Sequence, residues 1–330
     1  MININKQKMP DGYRETIERG IRCVQTLRGV TLGTGTPEEN ISRLSKAIDD
    51  SDAIVIGAGA GLSTSAGFTY DGERFERYFA DFSKEYGITD MYSGSFYDFG
   101  DKETFWGWLA RVIYFNRYVD VPKPVYKDLL ELVKGKDYFV ITTNVDHQFQ
   151  RAGFDKDRLF YTQGDYGVFQ DAKPKDERTF DNEGWVMMAM EAEGFVMGED
   201  GTYRLPEEGF AAISMRLPTE LIPADPDDGS ELKPNLRGDD SFVENDGWRK
   251  ASAAYSDFLY EHSRGRVLYL ELGVGGNTPV IIKYPFWQMT LDNPGATFAC
   301  VNYGEAFAPK AIEERAILIN GDIGEILHRL

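Results

Sequence analysis

Cysteine and histidine are scarce in this sequence, which has two cysteines (Cys23 and Cys300) and three histidines among 330 residues. Two cysteines cannot build a disulfide framework or a zinc site of four thiolates. Long apolar runs are missing too, since none approaches the roughly 20 residues of a membrane-spanning helix. The first residues lack the apolar core of a signal peptide. We therefore expect a soluble, cytoplasmic protein.

Positive charge is also in short supply, because 36 lysines and arginines face 54 aspartates and glutamates, a net charge of −18. A surface this acidic repels nucleic-acid phosphates and anionic lipids, which argues against nucleic-acid and membrane partners. Hydrophobic residues make up 42% of the chain and aromatic residues 13%, which is enough for a packed core. The composition favours a globular enzyme.

Short apolar runs followed by glycine or polar loops recur along the chain, which is typical of buried strands in a parallel α/β sheet. The first run, AIVIGAGAG, follows a predicted helix over residues 40–52 with Asn40 as its N-cap. In such sheets ligands bind where the strands end. The runs with their loops cover residues 53–61, 138–146, 267–277, 297–302 and 316–320.

The composition also suggests how the chain divides. Residues 165–250 hold 21 acidic and 9 basic residues and so carry most of the net charge. We predict a discontinuous Rossmann-like domain over residues 40–163 and 255–330, with a smaller acidic lobe inserted at 165–250. A loop-rich insertion solvated by its own charge is the alternative for that segment. Residues 1–39 are expected to form an N-terminal helical extension.

Four strand ends carry candidate site residues, each with an ordinary structural alternative. The glycines of residues 57–61 would let backbone N–H groups approach a pyrophosphate, but a tight turn without a ligand explains them as well. Asn144 and Asp146 offer hydrogen bonds to a ribose or carboxamide, and an Asx turn is equally compatible with them. The remaining candidates are residues 161–165, residues 273–279 and, one strand later, Val301 and Asn302.

In this order, the motifs resemble those of the sirtuin family. Residues 59–67 (GAGLSTSAG) resemble the sirtuin signature GAGxSxxSG, and residues 142–146 (TTNVD), with Arg151-Ala152-Gly153, resemble TQNID…AG. Residues 273–279 (GVGGNTP) resemble the GTS…P loop. Val301-Asn302 resembles the adenosine-side IN, Gly321-Asp322 resembles the terminal GD, and Gln163-Gly164 stands where sirtuins carry His-Gly. The resemblance covers residues 40–163 and 267–330.

Sirtuins are NAD-consuming enzymes with a Rossmann-like domain and a small zinc-bearing domain, so the resemblance implies NAD as the cofactor. It implies catalytic roles for Asn144, Asp146 and Gln163. The NAD-binding set that it implies is Gly59, Ala60, Gly61, Ser63, Gly67, Arg74, Thr143, Asn144, Asp146, Gln163, Gly273, Gly275, Asn302 and Asp322.

The sequence departs from the sirtuin pattern where deacylation depends on it. Sirtuins use the His as a general base on a ribose hydroxyl, whereas the side chain of Gln163 takes up no proton near neutral pH. The acyl-lysine tunnel motif VxFGE is replaced by residues 236–239 (LRGD), whose charges make poor walls for an acyl chain. The expected zinc-binding cysteines are replaced in residues 171–174 (DAKP) and 225–229 (DPDDG). We expect no metal in this lobe; an oxygen-ligated metal is the alternative.

Within the family, the sequence is most similar to the macrodomain-linked (class M) sirtuins of microbes. This similarity lies in Gln163, residues 142–150 (TTNVDHQFQ) and residues 63–75 (STSAGFTYDGERF). Those enzymes transfer ADP-ribose to a lipoylated carrier protein that resembles the glycine-cleavage H protein. The resemblance implies the same reaction for this chain, with release of nicotinamide. An NAD-dependent lysine deacylase and a non-catalytic NAD sensor are the alternatives.

Overall fold

The computed structural model describes residues 29–276 and 279–330. Its strands are, in chain order, β1 (Val30–Thr31), β2 (Ala53–Ala58), β3 (Tyr138–Thr142), β4 (Leu159–Tyr161), β5 (Gly164–Asp171), β6 (Thr179–Asp181), β7 (Val196–Met197), β8 (Tyr203–Arg204), β9 (Leu232–Leu236), β10 (Val267–Leu272), β11 (Thr297–Asn302), β12 (Ala308–Pro309) and β13 (Ala316–Asn320).

The α-helices are, in chain order, α1 (Pro37–Asp50), α2 (Ala60–Ser65), α3 (Gly72–Tyr86), α4 (Met91–Gly94), α5 (Lys102–Ile113), α6 (Val125–Val133), α7 (Gln148–Ala152), α8 (Glu183–Glu193), α9 (Asp246–Glu261), α10 (Lys283–Asp292) and α11 (Ile323–Leu327). A π-helical turn lies at Tyr114–Tyr118, and 3-10 turns lie at Lys156–Arg158, Gly209–Ala212, Thr219–Leu221 and Lys310–Arg315. Among the described helices, none has both the length and the apolar character needed to cross a membrane.

Six strands form one sheet in the order β13-β11-β10-β2-β3-β4, and every neighbouring pair is parallel. Strands β2, β3 and β10 are buried along their whole length, which explains why they read as unbroken apolar runs. Ala58 pairs with Thr142 of β3 and with Leu272 of β10, so these three strands end level. The predicted Rossmann-like parallel α/β sheet is confirmed.

Helix α1 begins earlier than the sequence predicted. Thr36 is its N-cap: the Thr36 hydroxyl accepts from the Glu39 N–H, and the Glu39 carboxylate accepts from the Thr36 N–H at 2.7 Å. This capping box satisfies two donors at the helix start. Asn40, predicted as the cap, is instead buried in the first turn and donates to the carbonyls of Thr34 and Leu318.

The chain forms two compact units. Among the described residues, the first comprises those up to Gly67 together with Pro122–Gly164 and Glu244–Leu330, and the second comprises Phe68–Val121 and Asp165–Val243. This division differs from the predicted one in the segment Phe68–Val121, which the sequence analysis had assigned to the Rossmann-like domain. The helical extension predicted for residues 1–39 lies largely outside the described residues, and the part that is described contains β1 and the start of α1.

The second unit owes this extra segment to aromatic packing. Helices α3 and α5 carry large buried side chains, among them Phe79, Phe82 and Trp108. The centroids of these three rings lie no more than 6.4 Å from one another. The same apolar cluster includes residues of α8 and of the small sheet β6-β5-β9. Arg111 is buried beside it and forms ion pairs with Glu193 and Asp81. Buried aromatic area therefore joins two stretches that are distant in sequence.

Where sirtuins carry zinc-binding cysteines, the second unit has an ion-pair network. The Lys175 ammonium bonds to Asp228 and lies 3.6 Å from Asp171 and 3.7 Å from Asp225. Arg178 donates to Asp225 at 3.0 Å, and the side chain of Asp225 is fully buried. Two basic side chains thus supply positive charge among these carboxylates. In the described part of the chain, no group of three or more His, Cys, Asp or Glu side chains could hold a metal ion.

The absence of zinc from this lobe stays a prediction, which elemental analysis tests together with thermal unfolding. We expect no bound zinc and the same melting temperature with and without EDTA. Replacing both Lys175 and Arg178 by methionine should lower the melting temperature, because the buried Asp225 carboxylate would lose its counter-charge.

The matched control replaces Lys46 and Lys134 by methionine, since both form exposed pairs within a helix or at its end. That double variant should melt close to the wild type. About one zinc per chain, or an equal loss in both double variants, would contradict this account of the lobe.

Candidate active site

Two glycine loops meet where the neighbouring strands β2 and β10 end. The N–H of Gly59 donates to the carbonyl of Leu272, and the N–H of Gly61 donates to that of Gly273, both at 3.0 Å. Gly273 has a φ of 65°, in the left-handed region that side chains other than glycine rarely adopt. Asn277 and Thr278, which were predicted within the second loop, lie outside the described residues.

The contact between the loops leaves no room for a side chain. A Cβ atom at Gly61 would lie 2.7 Å from the Cα of Gly273, and one at Gly59 would lie 2.6 Å from the Gly273 carbonyl oxygen. Close packing of backbone on backbone therefore explains these three glycines. The phosphate contacts expected of Gly59 and Gly61 stay a prediction, and their N–H groups already donate to the carbonyls of Leu272 and Gly273.

A buried polar network lies beside this contact. The Asn144 amide donates to the Gly59 carbonyl and to the Ser63 hydroxyl, each at 3.0 Å. The Ser63 hydroxyl donates in turn to the Asp146 carboxylate, and it lies 2.7 Å from the hydroxyl of Tyr126. Three residues of the predicted site are thus brought together. Ser63, predicted to hold phosphates, has its hydroxyl engaged with protein groups.

Tyr126 was missed by the sequence analysis. It lies on α6 with its side chain buried, and its ring packs edge-on against Phe149 at 4.9 Å. Its hydroxyl also accepts from Asn144 at 3.3 Å. Burial, reinforced by the charge of Asp146, raises the pKa of Tyr126 well above its usual value, so the hydroxyl stays protonated. Nothing in the run VYKDLLELV distinguishes this tyrosine from a core residue.

The loop after β3 takes its shape from its own polar groups. The Thr142 hydroxyl donates to the Ala58 carbonyl at 3.0 Å and accepts from the N–H of Asn144 at 3.0 Å. The N–H of Thr143 bonds to the same Ala58 carbonyl, so the contact expected of Thr143 with NAD does not involve this N–H. These bonds fix the backbone from which the Asn144 side chain extends.

The Asp146 carboxylate accepts hydrogen bonds from its own loop and from Ser63 of α2. It is buried, and one carboxylate oxygen accepts from the N–H of Gln148 at 3.1 Å, as in an Asx turn. The other oxygen accepts from Ser63. His147, which lies between Asp146 and Gln148 in the sequence, has a φ of 63° and precedes the first turn of α7. The Asx turn is therefore present, and the predicted contact of Asp146 with NAD stays a prediction.

Gln163 follows β4, the strand next to β3. Thr142 pairs with Tyr161, so Asn144 and Gln163 each lie two residues beyond the same paired position. Thr162 anchors the Gln163 loop, because its N–H and its hydroxyl both donate to the Thr142 carbonyl. The indole of Trp248 donates to the Thr162 carbonyl at 3.2 Å. The half-buried Gln163 side chain thus extends from a fixed backbone.

Other predicted residues have structural partners of their own. Asp322 caps α11 by accepting from the N–H of Glu325, and it also accepts from the Ser65 hydroxyl at 3.0 Å. Gly67 has a φ of 98°, and a Cβ there would lie 2.9 Å from Pro122. Contacts with NAD at these two positions stay predictions.

Arg74 belongs to the second unit, whereas the other predicted residues belong to the first. Its guanidinium donates to the Thr69 carbonyl at 2.9 Å and to the Asn116 side chain at 3.0 Å. It also lies over the ring of Phe68, 4.4 Å from the ring centroid. These contacts hold Arg74 within its own unit, and its predicted contact with NAD phosphates stays a prediction.

The second glycine loop has support from β11. The Asn302 amide donates to the Val274 carbonyl at 3.0 Å and to the Glu271 carboxylate at 3.3 Å. Gly275 is exposed, and a Cβ atom there would meet no atom of the described residues within 4 Å. The buried Glu271 is a second residue that the sequence analysis missed, although it is the single charged residue in the run VLYLEL.

The loop contact predicts different effects of alanine at Gly61 and Gly275. Gly61→Ala should lower the free energy of unfolding by about 1–3 kcal/mol, because its Cβ would press on the opposite backbone. Gly275→Ala, the matched control, should leave that free energy nearly unchanged. Urea denaturation measures both. Equal midpoints for the two variants would show that the loops do not pack as described.

A comparison with protein-family models finds no match. A protein ADP-ribosyltransferase of Staphylococcus aureus (strain Mu50 / ATCC 700699) is 35% identical over 286 residues, which covers 86% of this chain and 84% of that protein. A probable bifunctional ADP-ribose hydrolase/ADP-ribosyltransferase of Fusarium oxysporum f. sp. cubense is 28% identical over 308 residues. That match covers 88% of this chain, which spans 48% of the fungal protein.

Solved structures agree in fold. A Sir2 homologue in complex with NAD matches with a TM-score of 0.55 at 16% identity, covering 87% of this chain and 91% of that one. A Sir2 complex with a p53 peptide and NAD+ matches with a TM-score of 0.52 at 21% identity, covering 88% and 96%. The fold is therefore that of the sirtuins, and the bacterial relative establishes the family. The chain belongs to the sirtuin family, among its NAD-dependent protein ADP-ribosyltransferases.

Proposed function

We propose that this protein transfers ADP-ribose from NAD to an acceptor protein, a lipoylated carrier resembling the glycine-cleavage H protein, and releases nicotinamide. The observation that carries the proposal is the pairing of a preorganised Asn144–Ser63–Asp146 network with Gln163 on the adjacent strand end. The network supplies polar groups for the ribose. Gln163 supplies no base for deacylation.

In this proposal, each part of the NAD molecule binds to a different glycine loop or to the polar network. We assign its phosphates to the first loop (Gly59 to Ser63), its adenosine to Gly273, Gly275 and Asn302, and its nicotinamide ribose to Asn144 and Asp146. Ala60 is exposed, and no atom of the residues that the structure describes lies within 4 Å of a Cβ built at Gly275, so both loops have an open side there. Glycine loops that follow parallel strands are suited to dinucleotides for this reason.

The proposed reaction consists of loss of nicotinamide and capture of the ribosyl carbon. The bond between the nicotinamide nitrogen and the ribose breaks with its electron pair on nitrogen, which leaves positive charge on the ribose. Asp146 supplies a fixed negative charge in the site, held by Ser63 and the Gln148 N–H. A nucleophilic group of the acceptor donates an electron pair to the ribosyl carbon and releases its proton to solvent.

Gln163 acts by positioning in this scheme. Its amide offers a donor and an acceptor to a ribose hydroxyl or to the acceptor group, and it keeps the same protonation state throughout. Thr162 and Trp248 fix the backbone before it, which limits the orientations that the side chain samples. Fixed orientation is a major source of rate in transfer between two bound partners.

The identity of the acceptor is the finest part of the proposal. It is supported by the resemblance to class M sirtuins in Gln163 and in residues 63–75 and 142–150. The fungal relative is named as a hydrolase joined to a transferase, which fits a modification that a second activity removes. We propose that the reaction takes place in the cytoplasm.

Truncation of Gln163 separates transfer from NAD binding. With labelled NAD and a lipoylated carrier protein, Gln163→Ala should lose transfer by about 10²-fold while NAD affinity stays within tenfold, because the phosphates are held elsewhere. Asn144→Ala should impair both, since Asn144 holds the first loop through the Gly59 carbonyl and the Ser63 hydroxyl. Label incorporation and calorimetry measure the two quantities.

The matched control for truncation is Gln288→Ala, which removes the same side chain from the surface of α10. It should label the carrier at the wild-type rate. Undiminished labelling by Gln163→Ala would remove this residue from the mechanism. Continuous nicotinamide release by the wild type would exclude a non-catalytic NAD sensor.

Dependence on the lipoyl group tests the proposed acceptor. The same carrier protein with and without its lipoyl modification should differ at least tenfold in labelling at equal concentration, because the proposed acceptor is recognised in its lipoylated form. Scintillation counting of the purified carrier gives the result. Equal labelling of both forms would retain the transferase and reject the lipoylated carrier as its specific acceptor.

A further inference from the structure

Glu271 places a buried carboxylate at the base of the second glycine loop. It lies at position five of β10 and its side chain has no exposed surface. Its Oε1 accepts from the N–H of Val274 at 3.2 Å and from the amide of Asn302 at 3.3 Å. A charge with so little access to water is costly, so its persistence in a central strand requires a compensating role.

Charged and titratable groups approach this carboxylate from two sides. The ammonium of Lys283, on α10, lies 3.6 Å from Oε1 and is itself buried, donating to the Glu305 carbonyl at 3.2 Å. The Glu305 carboxylate lies 3.9 Å from that ammonium. The Cys300 thiol faces Glu271 from β11, and burial together with the Glu271 charge raises its pKa well above the usual value. On the β2 side, Glu271 pairs with Gly57, which has no side chain.

The hydrogen bonds of Glu271 determine the position of Val274. The Glu271 carboxylate accepts a hydrogen bond from the Val274 N–H. It also accepts one from the Asn302 amide, and that amide donates to the Val274 carbonyl at 3.0 Å. Val274 directly follows Gly273, whose backbone contacts Gly61. The carboxylate therefore fixes the backbone of Val274, next to the contact between Gly273 and Gly61.

We propose that Glu271 is a positioning residue that holds the loop from Gly273 to Gly276 in the shape that binds NAD. This inference rests on the proposed function, which places adenosine at this loop. Ionised, the carboxylate makes charge-assisted bonds to Val274 and Asn302 and attracts Lys283. Protonated, it holds the same partners more weakly.

The pH range follows from the environment of Glu271. Burial raises its pKa to about 7, against the opposing influence of Lys283 and the hydrogen bonds from Cys300, Asn302 and Val274. A carboxyl group whose pKa is higher in the folded state stabilises the fold at low pH, and that stability is lost as the pH rises to about 7. Fold stability and NAD affinity should therefore change in opposite directions between pH 6 and pH 8. A purely structural role would make them change together.

Calorimetric titration of the whole chain with NAD at pH 6, 7 and 8 tests the inference. For the wild type, the Kd should fall by about three- to tenfold from pH 6 to pH 8, as expected for hydrogen bonds that gain a charge. Glu271→Gln keeps the shape and removes the titration, so its Kd should be nearly constant over this range. Thermal unfolding at each pH checks that every variant is folded.

Two further variants keep the test decisive. Glu271→Gln combined with Lys283→Met leaves no unpaired buried ammonium, and it serves if the single variant fails to fold. His147→Asn removes a histidine next to Asp146 while keeping a residue that tolerates positive φ. The wild-type pH dependence should persist in His147→Asn.

The outcomes separate this inference from the proposed function. A wild-type Kd that does not change with pH, or one that changes equally in Glu271→Gln, would overturn the role of Glu271. Loss of the dependence in His147→Asn alone would assign it to that histidine. A wild-type chain that binds no NAD at any pH would instead contradict the proposed function.

Discussion

Contact between two backbones, at Gly61 and Gly273, is the constraint on which the rest of the site depends. Strands β2 and β10 are parallel neighbours that end level, so the loops after them must pass the same point. They do so at a separation that excludes a Cβ atom. Ser63 follows two residues after Gly61, and Val274 follows Gly273 directly. This backbone contact, which includes the hydrogen bond from Gly61 to Gly273, therefore fixes where Ser63 and Val274 lie.

The chemistry of the site follows from what this arrangement fixes and what it omits. Hydrogen bonds link the side chains of Asn144, Ser63, Asp146 and Tyr126, so a polar site exists before any ligand binds. Preorganised charge and hydrogen bonds stabilise a developing cation without a proton transfer. At the strand end where sirtuins have a histidine, Gln163 carries an amide and no basic group. The geometry thus favours transfer to a positioned nucleophile over activation of a ribose hydroxyl.

The sequence predicted the parallel sheet and its loops because buried parallel strands read as unbroken apolar runs that end in glycine or polar residues. It missed the start of α1, because Thr36 and Asn40 are both residue types that commonly cap helices, and only the structure shows that Thr36 is the N-cap. Membership of Phe68–Val121 in the second unit could not be predicted, because an aromatic helix face does not specify its partner. Tyr126 and Glu271 belong to no motif, and only the tertiary structure shows the hydrogen bonds that they form.

The most direct test of this account is intact mass spectrometry of one mixture that contains the protein, NAD, a lipoylated carrier protein and an acetyl-lysine peptide. The account predicts that the carrier gains the mass of one ADP-ribose, with an equal amount of nicotinamide released, while the peptide keeps its acetyl group. An unmodified carrier together with a deacetylated peptide and O-acetyl-ADP-ribose would contradict it.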